Sequence, residues 1–188
     1  DMLQRALNSV LAQDYDNIEI FIVDNGSIDN TEAIVADYMT KHENIRYHKF
    51  DENKGACAAR NYAITHAKGS LVTGLDDDDE FVPERITELV NAYDERFAFV
   101  CTGYFWDYGA YRKAKINTSL EVTLHDQLNF NQTSNQALVS KQRIIDAGLF
   151  DEDLTSCQDW DMWTRLIIKY GTALRIDGAS YIVHTAHD

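Results

Sequence analysis

Four consecutive aspartates, Asp76 to Asp79, follow directly on the apolar run Leu71-Val72-Thr73-Gly74-Leu75. Adjacent carboxylates repel one another unless a cation or hydrogen-bond donors offset them. An apolar strand that ends in such a turn therefore places the turn at the solvent-facing edge of a sheet. Oxygen ligands on a short turn also suit Mg²⁺ or Mn²⁺, which keep some waters and complete their shell from substrate phosphates. The plainer alternative is a solvated acidic turn leading into a helix, whose N-terminus favours carboxylates.

The segments around this run alternate. Leu3, Ala6, Leu7, Val10 and Leu11 recur at helical spacing, with Asp1 as candidate N-cap. Ile18 to Val23 is short, β-branched and nearly continuous in apolar residues, as a strand covered on both faces would be, and it ends in Asp24-Asn25-Gly26-Ser27. Asp29 and Glu32 stand at capping-box spacing before a predicted helix. Ile45 to Phe50 reads as a strand, Asn53-Lys54-Gly55 as a loop, and Ala56 to Ala67 as a helix stopped by Gly69. Pro83 is expected in the first turn of the helix after the aspartates. Alternation of this kind predicts an α/β fold, a mostly parallel, Rossmann-like sheet flanked by helices. In such sheets ligands bind beyond the carboxyl ends of the strands, where both acidic turns fall.

Beyond residue 97 the pattern loosens. Phe97 to Thr102, Gly103 to Tyr108 and Gln136 to Ser140 read as strands, and 109–134 as polar and irregular. Gln158 to Tyr170 reads as a helix with Trp160, Trp163, Ile167 and Tyr170 near one face, and Gly171 as its stop. Ala173 to Ile176 and Tyr181 to Val183 read as two short strands. The expectation is one domain, 1–188, whose second half (97–188) extends the sheet of the first (1–96) as a mixed one.

Composition narrows the chemistry. The 188 residues carry 17 Lys and Arg against 31 Asp and Glu, a net charge of −14. Such a balance repels phosphate backbones and argues against nucleic-acid binding, and a phosphorylated substrate would have to arrive with a cation. No apolar run approaches the roughly 20 residues of a membrane span, and the N-terminus does not resemble a signal peptide. Cys57, Cys101 and Cys157 lie far apart, which fits a reducing compartment and argues against zinc. The Asn-x-Ser/Thr sequences at Asn25, Asn117 and Asn131 carry no meaning without secretion.

Other candidates have plain alternatives. Asp24 could accept a hydrogen bond from a nucleobase or ribose, or simply belong to an Asx-type βα turn. Asp159, in Gln158-Asp159-Trp160-Asp161, could be a general base or a helix cap. His184 could touch metal or phosphate, or be structural.

Taken in order, these pieces resemble glycosyltransferase family 2, inverting enzymes of the GT-A fold. The resemblance rests on Leu7 to Tyr15, Val23-Asp24-Asn25-Gly26-Ser27 through Asp29, Asn53-Lys54-Gly55 and Ala59-Arg60-Asn61. It continues through Leu75 to Asp79 with Pro83, Gly148-Leu149-Phe150-Asp151-Glu152, Gln158 to Asp161 with Arg165-Leu166, and Tyr181 to His184. It implies that Asp24 and Asn25 contact the donor base, with Gly55 and Arg60 near the donor. Asp76 or Asp77 would hold the ribose, Asp78 and His184 a Mn²⁺ or Mg²⁺ ion at the diphosphate, and Asp159 would be the catalytic base. The implied partners are a nucleotide-sugar donor, most simply a UDP-sugar, and a saccharide or glycolipid acceptor in polysaccharide or glycoconjugate synthesis. The location implied is cytoplasmic, with attachment to the inner membrane face requiring segments outside this sequence. Three departures stand out: Asn25 replaces a common aspartate, Gln158 a common glutamate, and the family's first strand would precede residue 1.

Two rivals remain from sequence. A nucleotidyltransferase would want a basic or glycine-rich triphosphate loop near the start, and none is visible. A non-catalytic nucleotide-sugar-binding module would bind nucleotide without transfer. A calcium-binding acidic protein lacks EF-hand spacing.

Overall fold

The computed structural model describes residues 2–133 and 136–185; the candidate cap Asp1 lies outside them. The first half runs α1 (Met2–Leu11), β1 (Ile20–Asp24), α2 (Thr31–Lys41), β2 (Ile45–Lys49), α3 (Ala56–His66), β3 (Leu71–Val72), β4 (Glu80–Phe81) and α4 (Arg85–Ala92). The second runs β5 (Val100–Asp107), β6 (Arg112–Lys115), β7 (Leu120–Val122), α5 (Leu124–Asn129), β8 (Val139–Ser140), α6 (Lys141–Asp146), α7 (Gln158–Tyr170) and β9 (Ala173–His184).

The α/β class holds, but the sheets are mixed. β1 and β2 pair in parallel, β3 and β8 antiparallel, and β5 and β9 in parallel at the centre of a larger sheet ordered β4-β9-β5-β6, with β7 also on β9. Each pair of short strands expected at 97–108 and 173–183 is one strand. The register of β5 shifts on both sides of Gly103, where a Cβ would lie 2.6 Å from the Lys115 carbonyl oxygen. In β9 the interruption is Asp177-Gly178, with Gly178 at φ +95°. A bulge holding glycine looks like a turn in sequence, which is why each strand read as two.

Local expectations changed in three other places. Helix α4 starts at Arg85, so Pro83 precedes it, its carbonyl accepting from the Asp14 N–H (3.1 Å). Asp29 and Glu32 form no capping box: Asp29 accepts from the Thr31 N–H, and Glu32 reaches Lys49 (3.2 Å). Within the stretch read as irregular, Thr123 and Asp126 do form one at the start of α5.

The main core joins both halves. Cys57 and Ile64 of α3 pack with Phe99 and Cys101 of the central sheet and with Met162, Trp163, Leu166 and Ile167 of α7. Around Trp163, Phe99 and Phe150 lie at 5.4 and 6.0 Å between ring centroids, within the range of favourable aromatic pairs. Helix α1 buries Ala6 and Leu7 beside Ile20 and Ile45, and is fastened to the β4–α4 corner by Gln13, which donates to the Val82 carbonyl (2.9 Å) and accepts from the Ile86 N–H (3.0 Å). A cavity of about 530 Å³ lies between β1 and β3, walled by apolar residues of α1 and α3, with polar residues at one end.

Arg85 is a buried charged group, 1% exposed. It donates to Thr102 Oγ1 (2.9 Å), Ser180 Oγ (3.2 Å) and the Gln136 carbonyl (3.0 Å), and lies over the rings of Phe81 and Tyr181. Its Nε has no hydrogen-bond partner, and burial pushes its pKa down to about 10. Truncation would orphan these acceptors and leave a void in the seam between α4 and the central sheet. Arg85→Ala should therefore lower stability by about 3 kcal/mol or more in chemical denaturation. An unchanged midpoint and slope would show that the seam does not depend on it.

Candidate active site

Strand β1 delivers Asp24 to its carboxyl end, 5% exposed. One oxygen accepts from the Ser27 N–H (2.7 Å) and the other from the Tyr47 hydroxyl (2.6 Å). Burial works against the charge, but these donors outweigh it and hold the carboxyl below the usual aspartate range. Asn25 fastens this turn to the next loop, donating to Asn53 Oδ1 (2.8 Å) and accepting from the Lys54 N–H (2.8 Å). Asn53 Oδ1 also accepts from the N–H of Gly55, the residue that caps α3. Gly26 makes the approach of the two loops possible: its φ is +83°, and a Cβ would meet the Glu52 carbonyl carbon at 2.7 Å.

Helix α3 supplies the cation. Arg60 donates to Asp76 Oδ1 at 2.7 Å. Burial disfavours its charge, but Asp76 outweighs that and raises the pKa further. Its neighbour Asn61 bonds both the N–H and the carbonyl of Phe150 (2.9 Å each), joining α3 to the segment before α7. Asp24, Asn25, Arg60, Asp76 and Asp77 line the polar end of the cavity between β1 and β3, whereas Gly55, Asp78, Asp159 and His184 lie outside its lining.

The four aspartates diverge in role. Asp76 faces Arg60, and its N–H donates to the Tyr181 hydroxyl (3.3 Å). Asp79, 3% exposed, accepts from the His184 N–H (3.1 Å); burial pushes its pKa up to about 6 against that bond and one from Tyr181. Asp77 is exposed, and the Asp78 carbonyl accepts from Arg5 (2.5 Å). His184 directs Nε2 to Glu80 (2.7 Å) and Nδ1 towards Asp107 (3.8 Å). Among the described residues no three His, Cys, Asp or Glu side chains converge into a cation cage. The donor set still suits a hard cation, because Mg²⁺ and Mn²⁺ sites often take one or two carboxylates and fill the rest from phosphates and water.

Asp159 sits in the first turn of α7 and accepts from Asn131 Nδ2 (2.8 Å). Burial raises its pKa, while the α7 N-terminus, Asn131 and the charge of Arg60 pull the other way. Arg60 thus interacts with acidic groups of both halves, one by contact and one through its field. The partners Tyr47, Asn53, Asn131, Glu80 and Asp107 were not singled out as site residues from sequence. Asn131 drew notice only as part of an Asn-x-Thr sequence.

The profile of glycosyl transferase family 2 matches residues 1–152. This chain belongs to glycosyl transferase family 2. It is 34% identical to WcaA of Escherichia coli K12, a glycosyl transferase named for colanic acid biosynthesis, across 97% of this chain and 67% of that protein. It spans 54% of a second relative, a glycosyltransferase of Rickettsia typhi, at 32% identity over 88% of this chain. The fold matches that of Staphylococcus aureus TarS in complex with UDP-GlcNAc, with TM-score 0.83 and 23% identity over 99% of this chain and 55% of that one. These matches place the chain among GT-A glycosyltransferases, with colanic acid synthesis among its relatives' named roles.

The tie between the 24–27 turn and the 52–55 loop is testable through Gly26. Gly26→Ala forces a side chain into backbone at a positive φ and should cost ~1–3 kcal/mol of stability. Denaturant melts would read the loss, and wild-type stability would show that the two loops are not in contact.

Proposed function

We propose that this domain moves a sugar from a nucleotide-diphosphate donor, most simply a UDP-sugar, to an acceptor hydroxyl with inversion at the anomeric carbon, in polysaccharide synthesis. The observation that carries the reading is the gathering of Asp24, Asn25, Arg60, Asp76 and Asp77 at one end of a cavity, with Asp159 within the field of Arg60. The UDP-GlcNAc complex of TarS supports a nucleotide-sugar donor, and the GDP-mannose and Mn²⁺ complex of a Pyrobaculum calidifontis mannosyltransferase (TM-score 0.71) supports a divalent ion.

Asp24, pinned by Tyr47 and Ser27, keeps lone pairs for a base or ribose donor. Arg60, in the cavity lining, offers positive charge to the donor while holding Asp76 in place. Asp78, with His184 tied to the same turn through Asp79 and Glu80, would hold the ion, which would supply charge neutralisation at the diphosphate. Asp159 takes the proton from the attacking hydroxyl. Its raised pKa makes it a better base than a free aspartate, and Asn131 fixes the carboxylate's direction. One displacement from the face opposite the diphosphate inverts the configuration.

Asp159→Asn should remove transfer by ~10²–10⁴-fold while UDP affinity stays within error, since general bases contribute on that scale. The rate should fall as pH drops through a pKa above the ordinary aspartate value. Asn131→Ala removes a donor to the charged form and should move that acid limb to higher pH. Full transfer in Asp159→Asn would refute the base assignment, and an unmoved limb in Asn131→Ala would refute the positioning role.

A further inference from the structure

The β5–β6 hairpin differs from the rest of the molecule in both charge and aromatic content. Residues 108–120 contain Arg112, Lys113 and Lys115 and no Asp or Glu, in a chain whose net charge is −14. Tyr104 and Trp106 alternate along β5 and Tyr108 follows it at the same spacing, a row spanning about 13 Å. Their rings form a row, Tyr104 to Trp106 at 6.4 Å and Trp106 to Tyr108 at 6.1 Å, and Tyr111 stacks on Tyr108 at 4.9 Å and 26°. Exposure rises along the row: Tyr104 packs beside Phe81 and Tyr181, whereas Tyr111 is 61% exposed. Lys115 lies over Trp106 (4.7 Å), and Lys113 is exposed.

At the outer end of the hairpin, next to its turn, Asp107 accepts from Arg112 Nε (2.7 Å) and faces His184 Nδ1. The inner end of the aromatic row meets the candidate active site: Tyr104 pairs with and packs beside Tyr181, whose hydroxyl accepts from the Asp76 N–H. A ligand lying along the rings would therefore point its inner end at the 76–79 turn. Flat exposed rings suit the C–H face of a pyranose, and the adjacent cations suit acidic groups on it. A lipid surface fits less well, because the hairpin tip is Gly109-Ala110 and carries no apolar wedge.

We propose that the β5–β6 hairpin is the acceptor platform, and that it takes a saccharide chain bearing acidic groups, with Tyr108 and Tyr111 stacking on sugar faces and Lys113 and Lys115 meeting the charges. This rests on the glycosyl-transfer reading. The test is calorimetry of the full chain with an oligogalacturonide, with a malto-oligosaccharide of equal length, and sedimentation with mixed phosphatidylcholine–phosphatidylglycerol vesicles. UDP titration with Mn²⁺ runs in parallel on each variant. The oligogalacturonide should bind, the neutral sugar and vesicles should not, and Tyr111→Ala and Lys113→Glu should each weaken binding about fivefold or more. UDP affinity should be unaltered in both variants. Equal binding of the neutral sugar, binding to vesicles alone, or no oligogalacturonide binding by a chain that binds UDP would overturn the platform and leave the donor reading standing. Failure to bind UDP as well would instead overturn the function on which it rests.

Discussion

Two adjacent side chains of α3, Arg60 and Asn61, hold the acidic edge of this molecule together. Asn61 bonds both backbone groups of Phe150, so the segment leading to α7 is fixed against α3. Arg60 bonds Asp76 and lies within electrostatic reach of Asp159. The first tie is neutral and positional; the second is ionic and sets the field. Without the first, the segment leading to Asp159 would lose its tie to α3, and without the second Asp76 would lose its cation and Asp159 the field that favours its charge. The main core has the same span, since residues of α3, α7 and the central sheet pack in one cluster.

Every carboxylate at this edge is handled differently, and the differences follow from their partners. Asp24 stays charged because a hydroxyl and an N–H outweigh its burial. Asp79 is buried with weaker compensation and titrates near 6. The His184 ring is held between Glu80 and Asp107, and Arg5 joins the same group from α1, 3.4 Å from Glu80. An anionic donor entering such a place needs positive charge that Arg60 and Arg5 alone supply weakly. This is the physical case for a divalent ion arriving with the diphosphate.

How much of this was legible in the sequence depended on distance along the chain. Asp24 and the 76–79 turn stood out because apolar runs end there, and the structure puts Asp24, Asp76 and Asp77 in the lining of one cavity. Asp159 stood out as a carboxylate opening a helix with tryptophans. Its partner Asn131 lies 28 residues away, Tyr47 lies 23 from Asp24, and Glu80 lies 104 from His184. A single sequence carries no signal for such pairs, because each needs the fold to bring it together. Strands β1, β2, β3, β5, β8 and β9 were legible, whereas β4, β6 and β7 were not, the last two falling in the stretch read as irregular. Length was misread where Gly103 and Gly178 look like breaks and the chain only bulges. The parallel expectation drew on the βα alternation of the first half. The β3–β8 and β4–β9 pairs, which use second-half strands, reversed it.

The central claim is that the cavity end lined by Asp24, Asn25, Arg60, Asp76 and Asp77 receives a nucleoside diphosphate together with a divalent ion at Asp78. Calorimetric titration of UDP with and without Mn²⁺, on this chain and on Asp78→Ala, tests it most directly. The account predicts binding that requires both Mn²⁺ and Asp78. Binding of equal strength without the ion, or in Asp78→Ala, would contradict the metal assignment, and no binding by a folded chain would contradict the donor site itself.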